Sequence, residues 1–243
     1  MTHANNEQPT IYVINPNSTV AVTKGIDAAM APLRMAGGPA IECLTLDAGP
    51  PGIQTQFDVE TVTLPLVQLA RSLAQQKPPA AAVVIACFSD PGLFAVREAL
   101  AASPTNPVAT PVLGIMECGL LTALTVGQRF GVIAILDGSI PRHLRAYGAM
   151  GLMDRFAGEL AIGLNVTELG QYDATLSRMV ATGKRLRDKK AADVIVMGCA
   201  GMAVYQAPLQ AALGIPVIEP SQAAVAMAIG RVQLGWHRTR ADV

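Results

Sequence analysis

Short apolar runs alternate with longer segments of helical periodicity along the whole chain. Several of the runs are continuous rather than alternating, which is typical of parallel strands that are covered on both faces. The predicted strands span residues 11–14, 41–46, 82–86, 112–115, 131–136, 160–164, 193–197 and 216–218. Strands and helices in regular alternation indicate an α/β protein with a parallel sheet.

Two of the intervening segments carry clear helical patterns. Leu66, Leu69 and Leu73 recur at spacings of three and four, which predicts a helix over residues 59–76. A second helix is predicted over residues 174–190, where a run of Lys and Arg suits a helix C-terminus. That basic run is most simply explained as a solvated helix end.

The chain contains an internal repeat. The segment AAVVIACFSDPGL around Cys87 resembles ADVIVMGCAGM around Cys199, and the two cysteines are 112 residues apart. PVLGIMECG similarly echoes PVIEPSQAA 105 residues later, and YVINPNS can correspond to VIAILDGS. The repeat predicts two halves of four strand–helix units each, with the cysteines in matching loops after the third strand. Chance similarity among alanine- and valine-rich strands and a single (β/α)8 barrel are the alternatives.

Composition and charge exclude several classes of partner. The 51% share of hydrophobic residues in 243 is enough to bury a substantial core. Lys and Arg total 18, Asp and Glu total 18, and aromatic residues are only 4%, so no nucleic-acid-binding surface is expected. The polar N-terminus lacks the apolar core of a signal peptide, and no apolar run approaches the roughly 18 residues of a membrane span. We expect a cytoplasmic protein with no nucleic-acid or membrane partner.

The four cysteines are far apart, and none forms a CxxC pair. Without a secretion signal, a disulfide framework is not expected in a chain of this length. A structural zinc site is not expected either, because His3, His143 and His237 are scattered and the cysteines are unpaired. We therefore expect no metal, and each thiol is either small apolar filler or a reactive group.

Cys87 directly follows the third predicted strand. Ser89 or Asp90 is a good helix N-cap, and Pro91 suits the first helical position. The free backbone N–H groups and the dipole of a helix N-terminus would stabilise a thiolate at Cys87. The charge of Asp90 would oppose that dipole.

Cys199 follows the seventh predicted strand in the same way. Gly198 and Gly201 on either side permit close approach of the backbone, and Met202 can start a helix that ends at Gly214. The alternative for both cysteines is a buried core thiol, since free cysteine is among the most buried residue types.

Two thiols that approach a bound molecule from opposite sides can invert a stereocentre. One thiolate removes a proton from carbon, and the other thiol returns a proton to the opposite face, so each acts as base in one direction and acid in the other. Helix N-termini around the cleft would offer N–H donors to the oxygen that gains charge. Such a reaction needs no metal, flavin or pyridoxal.

The motifs IYVINPNST, IACFSDPGL and MGCAGM, in this order, resemble the aspartate/glutamate/hydantoin racemase superfamily, and most closely its hydantoin and allantoin racemase branch. The resemblance implies two similar three-layer parallel-sheet domains related by a pseudo-twofold repeat, with the active site between them. It implies a first domain of residues 1–115 plus 216–243 and a second of residues 116–215. Cys87 and Cys199 are then the catalytic pair, and no cofactor is expected.

The same resemblance implies a set of substrate-binding residues in the first loop and next to the two cysteines. These are Asn15, Ser18, Thr19, Phe88, Ser89, Ala200 and Gly201. The first loop also reads as a turn that caps the helix from Val20 onward, and both roles are compatible.

Three departures from the family pattern bear on the substrate. Amino-acid racemases of the superfamily often carry His where this chain has Ala200. The hydantoin branch often has Gly at the positions of Ser89 and Ala200. The loop after the fifth strand contains the acidic residue Asp137, which bears on the ligand contacts in that half.

Charge near the motifs slightly favours a neutral substrate. No Lys or Arg lies within the three motifs, whereas a dicarboxylate would benefit from a cation. A 5-substituted hydantoin or a related ureide such as allantoin is therefore predicted. An aspartate- or glutamate-type racemase, a maleate-type cis–trans isomerase and a single-cysteine decarboxylase are alternatives, and a non-enzymatic small-molecule-binding protein is a remote one. We expect a homo-oligomer with no partner besides its small-molecule substrate.

Other polar residues carry weaker signals. Glu117 and Glu219 follow the fourth and eighth predicted strands and are interpreted as helix-start acids rather than catalysts. Cys43 and Cys118 are interpreted as packing residues. Arg142 and His143 are placed on the helix after the fifth strand, with no support for a role at the domain junction.

Overall fold

The computed structural model describes residues 8–103 and 108–236, so His3 and His237 lie outside the described residues. The strands are β1 (Thr10–Asn15), β2 (Ala40–Thr45), β3 (Ala82–Ile85), β4 (Val112–Gly114), β5 (Phe130–Ala134), β6 (Phe156–Ala161), β7 (Val194–Met197) and β8 (Val217–Ile218). The helices are α1 (Val20–Ala29), α2 (Gln56–Thr61), α3 (Thr63–Ala74), α4 (Leu93–Ala99), α5 (Ile115–Val126), α6 (Ile140–Ala149), α7 (Tyr172–Lys190), α8 (Gln206–Leu213) and α9 (Pro220–Leu234). Short 3-10 helices span Ala31–Leu33, Asp137–Ser139, Met153–Arg155, Val166–Gly170 and Ala200–Tyr205.

The strands form two four-stranded parallel sheets of identical connectivity. The first has the order β2-β1-β3-β4 and the second β6-β5-β7-β8. Matching strands therefore occupy matching places, with β1 and β3 central in one sheet and β5 and β7 central in the other. This confirms the repeat and the two-sheet α/β fold, and it excludes a single closed barrel.

Helices cover both faces of each sheet, which gives three layers per domain. In the first sheet, alternate residues of β1 point to opposite sides, so Val13 packs beneath α1 and α9 while Ile14 packs beneath α3 and α4. In the second sheet, Ile133 faces the α7 and α8 side and Val132 faces the α5 and α6 side. Burial on both faces explains why the central strands are continuous apolar runs.

Two helices cross between the sheets. Helix α5 leaves the first sheet after β4 and packs on β5 and β7, whereas α9 leaves the second sheet after β8 and packs on β1 and β3. The two crossing helices also pack against each other. The assignment of residues 216–243 to the first domain is wrong at its start, because Val217 and Ile218 pair with Ile195 and Val196 of β7. The short apolar β8 completes the second sheet as β4 completes the first, and the chain crosses only after it.

The sixth strand begins earlier than predicted. It spans Phe156–Ala161 instead of residues 160–164, and it pairs with β5 from Phe130 onward. Because β6 lies at the edge of its sheet, its first three residues are only half-buried and include Gly158. Its sequence therefore lacks the continuous apolar run that marks the central strands.

The single helix predicted over residues 59–76 is two helices, α2 and α3, which meet at Val62. Proline at position 65 has no N–H to donate to the carbonyl of Thr61, and its ring crowds that carbonyl, so the helix breaks there.

Helix α7 agrees with its prediction, with Arg187, Lys189 and Lys190 in its last turn. At 19 residues it is one of the longer helices, but its polar surface is unlike that of a membrane span. Within residues 8–103 and 108–236, no helix combines the length and apolar character needed to cross a membrane.

Candidate active site

Cys87 and Cys199 line a single cleft between the two domains. Each lies two residues beyond the last residue of a central strand, Cys87 after β3 and Cys199 after β7. Ligand sites in parallel α/β sheets form at these carboxyl ends. The cleft wall includes six of the predicted site residues: Cys87, Phe88, Ser89, Cys199, Ala200 and Gly201. All four thiols of the chain are free.

The first loop contributes a different residue from those predicted. Asn17 lines the cleft, whereas Asn15 is fully buried and donates to Asn17 Oδ1 at 3.1 Å and Thr23 Oγ1 at 3.0 Å. Thr19 Oγ1 donates to the Pro51 carbonyl at 2.7 Å, and Ser18 N–H donates to the Pro50 carbonyl. The geometry therefore does not support direct substrate contact by Asn15, Ser18 or Thr19. These residues order the loop that presents Asn17.

The Cys87 loop is a tight turn rather than a helix start. Asp90 N–H donates to the Cys87 carbonyl at 2.9 Å, and both Asp90 (φ 43°) and Gly92 (φ 64°) adopt left-handed backbone conformations. Helix α4 begins only at Leu93, so the prediction of Pro91 as its first residue is wrong. The turn directs the Asp90 side chain away from α4, towards the start of α5.

Asp90 caps the crossing helix α5. Its carboxylate accepts hydrogen bonds from the backbone N–H of Met116 at 3.0 Å and of Glu117 at 2.9 Å. Gly114 makes room for it, since a Cβ at that position would lie 2.3 Å from the carboxylate. Burial raises the pKa of Asp90 to about 7, against the effect of these two N–H donors.

The other crossing helix, α9, is capped by its own residue. Glu219 is buried at the N-cap, where its side chain accepts from the N–H of Ser221 at 3.1 Å and of Gln222 at 2.6 Å. Glu117 lies in the first turn of α5 and pairs with Arg97. The interpretation of both glutamates as helix-start acids is confirmed.

The Cys199 loop leads into a 3-10 helix. Cys199 is the N-cap of Ala200–Tyr205, and α8 follows at Gln206, four residues later than the predicted start at Met202. The end at Gly214 (φ 68°) is confirmed. Cys43 and Cys118 pack against the apolar core of the first domain, as predicted.

Burial controls the protonation of both cleft thiols. It raises the pKa of Cys87 to about 12; the Ser89 N–H and the Arg142 charge act in the opposite direction, while Cys199 and Asp90 raise the pKa further. Burial likewise raises the pKa of Cys199 to about 11, with the Gly201 N–H opposing it. The N–H donors expected to favour the thiolates are present, but loss of water outweighs them. With these pKa values, both cysteines are thiols at neutral pH.

Helix α6 brings a polar group of residues to the Cys87 side of the cleft. Arg142 Nε donates to Ser89 Oγ at 2.9 Å, and an Arg142 terminal nitrogen donates to the Gln54 carbonyl at 3.1 Å. His143 lies with Nε2 3.3 Å from Ser89 Oγ and Nδ1 2.7 Å from Glu159 Oε1. Arg142 and His143 thus lie at the domain junction, a role for which the sequence offered no support. The sequence carried one signal, the acidic residue Glu159 directly before the predicted sixth strand.

Arg142 also changes the charge of the cleft. Its guanidinium lines the cleft wall, although no Lys or Arg occurs within the three motifs. The slight preference for a neutral substrate, which rested on the absence of a nearby cation, is therefore removed.

Comparison with known proteins identifies the family of the chain. A family model described as Asp/Glu/Hydantoin racemase matches residues 11–228. The chain belongs to this family. It is a racemase, and therefore an isomerase, which overturns the remote alternative of a non-enzymatic binding protein.

Several relatives resemble the chain over nearly its whole length. A hydantoin racemase of Paenarthrobacter aurescens is 32% identical over 234 residues, covering 96% of this chain and 94% of its own. The solved structure of an allantoin racemase from Klebsiella pneumoniae superimposes with a TM-score of 0.84 at 29% identity, covering 94% of this chain and 89% of its own. That of an allantoin racemase from Pseudomonas fluorescens has a TM-score of 0.83 at 26% identity, with 93% and 92% covered.

Proposed function

We propose that the protein racemises 5-substituted hydantoins or a related ureide such as allantoin, with Cys87 and Cys199 as the acid/base pair. The observation that carries the proposal is the placement of both thiols on one cleft, at equivalent loop positions of two domains with the same strand order. Thiols delivered from opposite domains suit proton removal on one face of a carbon and proton delivery on the other. The family and its named relatives support the racemisation.

In this mechanism one cysteine enters the reaction as thiolate and the other as thiol. The thiolate takes the proton from the stereogenic carbon, and the C–H electron pair moves towards the adjacent carbonyl to give an enolate. The second thiol then donates its proton to the opposite face of the carbon. The first sulfur ends protonated and the second ends as thiolate, so the reverse reaction starts from the product state.

The walls of the cleft suit a flat, polar ring with an apolar substituent. Ile53, Ile135 and Val166 supply apolar surface, while Ser89 and Arg142 supply polar groups. The names of the relatives favour a ureide. The second candidate is racemisation of an amino acid, because the Arg142 guanidinium offers its carboxylate a partner.

The substrate assignment is tested by solvent deuterium incorporation into single enantiomers of 5-substituted hydantoins, allantoin, aspartate and glutamate, together with the loss of optical rotation. We expect incorporation and loss of rotation for at least one ureide and for neither amino acid. Incorporation only into aspartate or glutamate would replace the ureide by the amino-acid alternative. Conversion of maleate with no racemisation of any compound would reject the proposal.

The raised thiol pKa values predict a steep dependence of activity on pH. The active free enzyme carries one thiolate and one thiol, and with pKa values of about 11 and 12 this form is scarce at neutral pH. Its population grows as pH rises and falls only above the second pKa. We therefore expect kcat/KM to increase about tenfold per pH unit between about pH 7 and 9. A profile that is flat over this range, measured by polarimetry in buffers of constant ionic strength, would contradict it.

A further inference from the structure

The two cysteine loops have chemically different surroundings. In the repeat, Gly201 is the counterpart of Ser89, since each lies two residues after its cysteine. Gly201 faces apolar neighbours, because a Cβ there would lie 3.0 Å from Leu169 Cδ1 of its own domain and 4.0 Å from Val22 Cγ2 of the first domain. Ser89 instead meets Arg142 and His143 of α6. The equivalent turns thus have an apolar support on the Cys199 side and a polar support on the Cys87 side.

The hydrogen bonds around Ser89 have a consistent direction. Arg142 can only donate, so Ser89 Oγ accepts from it. When His143 is neutral and donates from Nδ1, its Nε2 accepts the proton of the Ser89 hydroxyl. His143 Nδ1 then carries the proton that it donates to Glu159 Oε1. Ser89 is thereby held from two sides by one helix of the other domain.

Glu159 anchors this arrangement from behind the cleft. Its side chain and that of His143 are 0% and 2% exposed. One carboxylate oxygen accepts from His143, and the other accepts from the Tyr147 hydroxyl at 3.0 Å. Glu159 does not line the cleft; it acts on the site through its hydrogen bond to His143 and through its charge, which also affects Arg142. Burying a carboxylate costs free energy, and the two hydrogen bonds offset that cost. The bond from His143 orients the imidazole, whereas the bond from Tyr147 contributes to stability.

The turn held in this way carries Cys87. Its closing hydrogen bond runs from the Asp90 N–H to the Cys87 carbonyl at 2.9 Å, and Cys87, Ser89 and Arg142 line the same cleft. The Ser89 backbone N–H and the Arg142 charge both act to lower the pKa of Cys87. The other groups that influence Cys87 are Asp90 and Cys199. The corresponding donor to Cys199 is the Gly201 N–H, which Arg142 and His143 do not contact.

We propose that Glu159 and His143, through Ser89 and together with Arg142, are positioning residues for Cys87 and not for Cys199. The kinetic consequence of this inference rests on the proposed two-thiol racemisation. The selective control of one of two equivalent thiols is a structural claim that does not depend on that proposal. Disturbing the network should impair proton transfer at Cys87 while leaving Cys199 intact.

The kinetic test uses variants with one remaining thiol. Cys199→Ser leaves Cys87 to exchange the proton of one enantiomer with deuterated solvent, and Cys87→Ser leaves Cys199 to exchange that of the other. Adding His143→Ala should slow the exchange by Cys87 about 10- to 100-fold, since a displacement of about 1 Å can cost ~100-fold. It should leave the exchange by Cys199 within about twofold. Equal losses at both thiols, or no loss at Cys87, would overturn the proposal.

Two further substitutions separate positioning from general damage. Glu159→Gln keeps the size of the side chain but removes the charge behind His143, and it should lower Cys87 exchange selectively. Tyr147→Phe is the matched control, because it removes the other hydrogen bond to Glu159 and leaves the His143–Glu159 bond intact. Tyr147→Phe should lower the melting temperature without changing the ratio of the exchange rate at Cys87 to that at Cys199. Ser89→Ala should reproduce the His143→Ala defect, and Ser89→Thr, which retains the hydroxyl, should restore exchange.

Alkylation provides a readout that needs no substrate. Iodoacetamide labelling of Cys87 and Cys199 in the same molecule, followed against pH by peptide mass mapping, gives an apparent pKa for each thiol. Arg142→Ala and His143→Ala should raise that of Cys87 and leave that of Cys199 unchanged. Parallel shifts at both cysteines, or none at Cys87, would reject selective positioning. If the single-thiol parents exchange no proton at all, the proposed racemisation mechanism has failed, and the alkylation result still decides the positioning.

Discussion

Replacing Cys87 or Cys199 by serine is expected to abolish racemisation. A hydroxyl is a far weaker acid than a thiol, so neither the base nor the acid step can proceed at the substituted face. Proton transfer by a positioned group contributes about 10²- to 10⁴-fold, and we expect kcat/KM to fall by at least about 10³-fold in both directions. Chiral chromatography of each enantiomer over long incubations measures the residual rate.

Cys43→Ser provides the matched control for this result. Cys43 is a half-buried packing residue of the first domain and does not line the cleft. Its substitution should leave kcat/KM within about twofold, because surroundings of this kind affect stability rather than the chemical step. Full racemisation in both directions by either Cys87→Ser or Cys199→Ser would end the two-thiol mechanism.

The second large effect is expected from Gly198→Ala, directly before Cys199. A Cβ at this position would lie 2.7 Å from the Ile133 carbonyl oxygen and 3.1 Å from Val132 Cγ1. The Ile133 carbonyl oxygen also accepts the Gly198 N–H and cannot turn aside. The end of β7 must therefore move away from β5 to make room for the methyl group. We expect a loss of about 1–3 kcal/mol in the free energy of unfolding. We also expect at least about a tenfold loss of kcat through displacement of Cys199.

Gly230→Ala is the control for this substitution and should increase the free energy of unfolding instead of decreasing it. Gly230 lies within α9, and nothing lies within 4 Å of a Cβ built there. Alanine in a helix interior is favoured over glycine by about 0.5–1 kcal/mol. Urea unfolding of both variants measures the two changes. A Gly198→Ala protein as stable and active as its parent would show that the strand end relaxes without cost.

The repeat was readable in the sequence because each half solves the same packing problem. Central strands such as β3 and β7 are buried on both faces, and this demands continuous apolar runs that stand out by composition. Strand β6 was misplaced because it lies at the edge of its sheet and is only partly covered. The break at Val62 was missed because the proline that causes it lies inside an otherwise regular helical pattern.

The candidate site was predictable where its residues adjoin the strand ends, and elsewhere it was not. Cys87 and Cys199 follow from strand position, since ligand sites in parallel α/β sheets form at the carboxyl ends of the strands. The prediction of Asn15 failed because it depends on which way a side chain points in a loop, which periodicity does not specify. Asn15 is buried beneath its own loop, and Asn17 lines the cleft instead.

The sequence by itself determined the α/β class, the two halves, the family resemblance and the two thiols, because these depend on local composition and on spacing within one segment. Only the tertiary structure decided that β8 completes the second sheet, that Asp90 caps α5 and that Arg142, His143 and Glu159 support the Cys87 side. Each of these contacts joins residues that are distant in the chain, and the hydrogen bonds of Arg142 and His143 to Ser89 also depend on how the two sheets face each other. Local pattern carries no information about that relative placement, which is set by packing of the crossing helices α5 and α9.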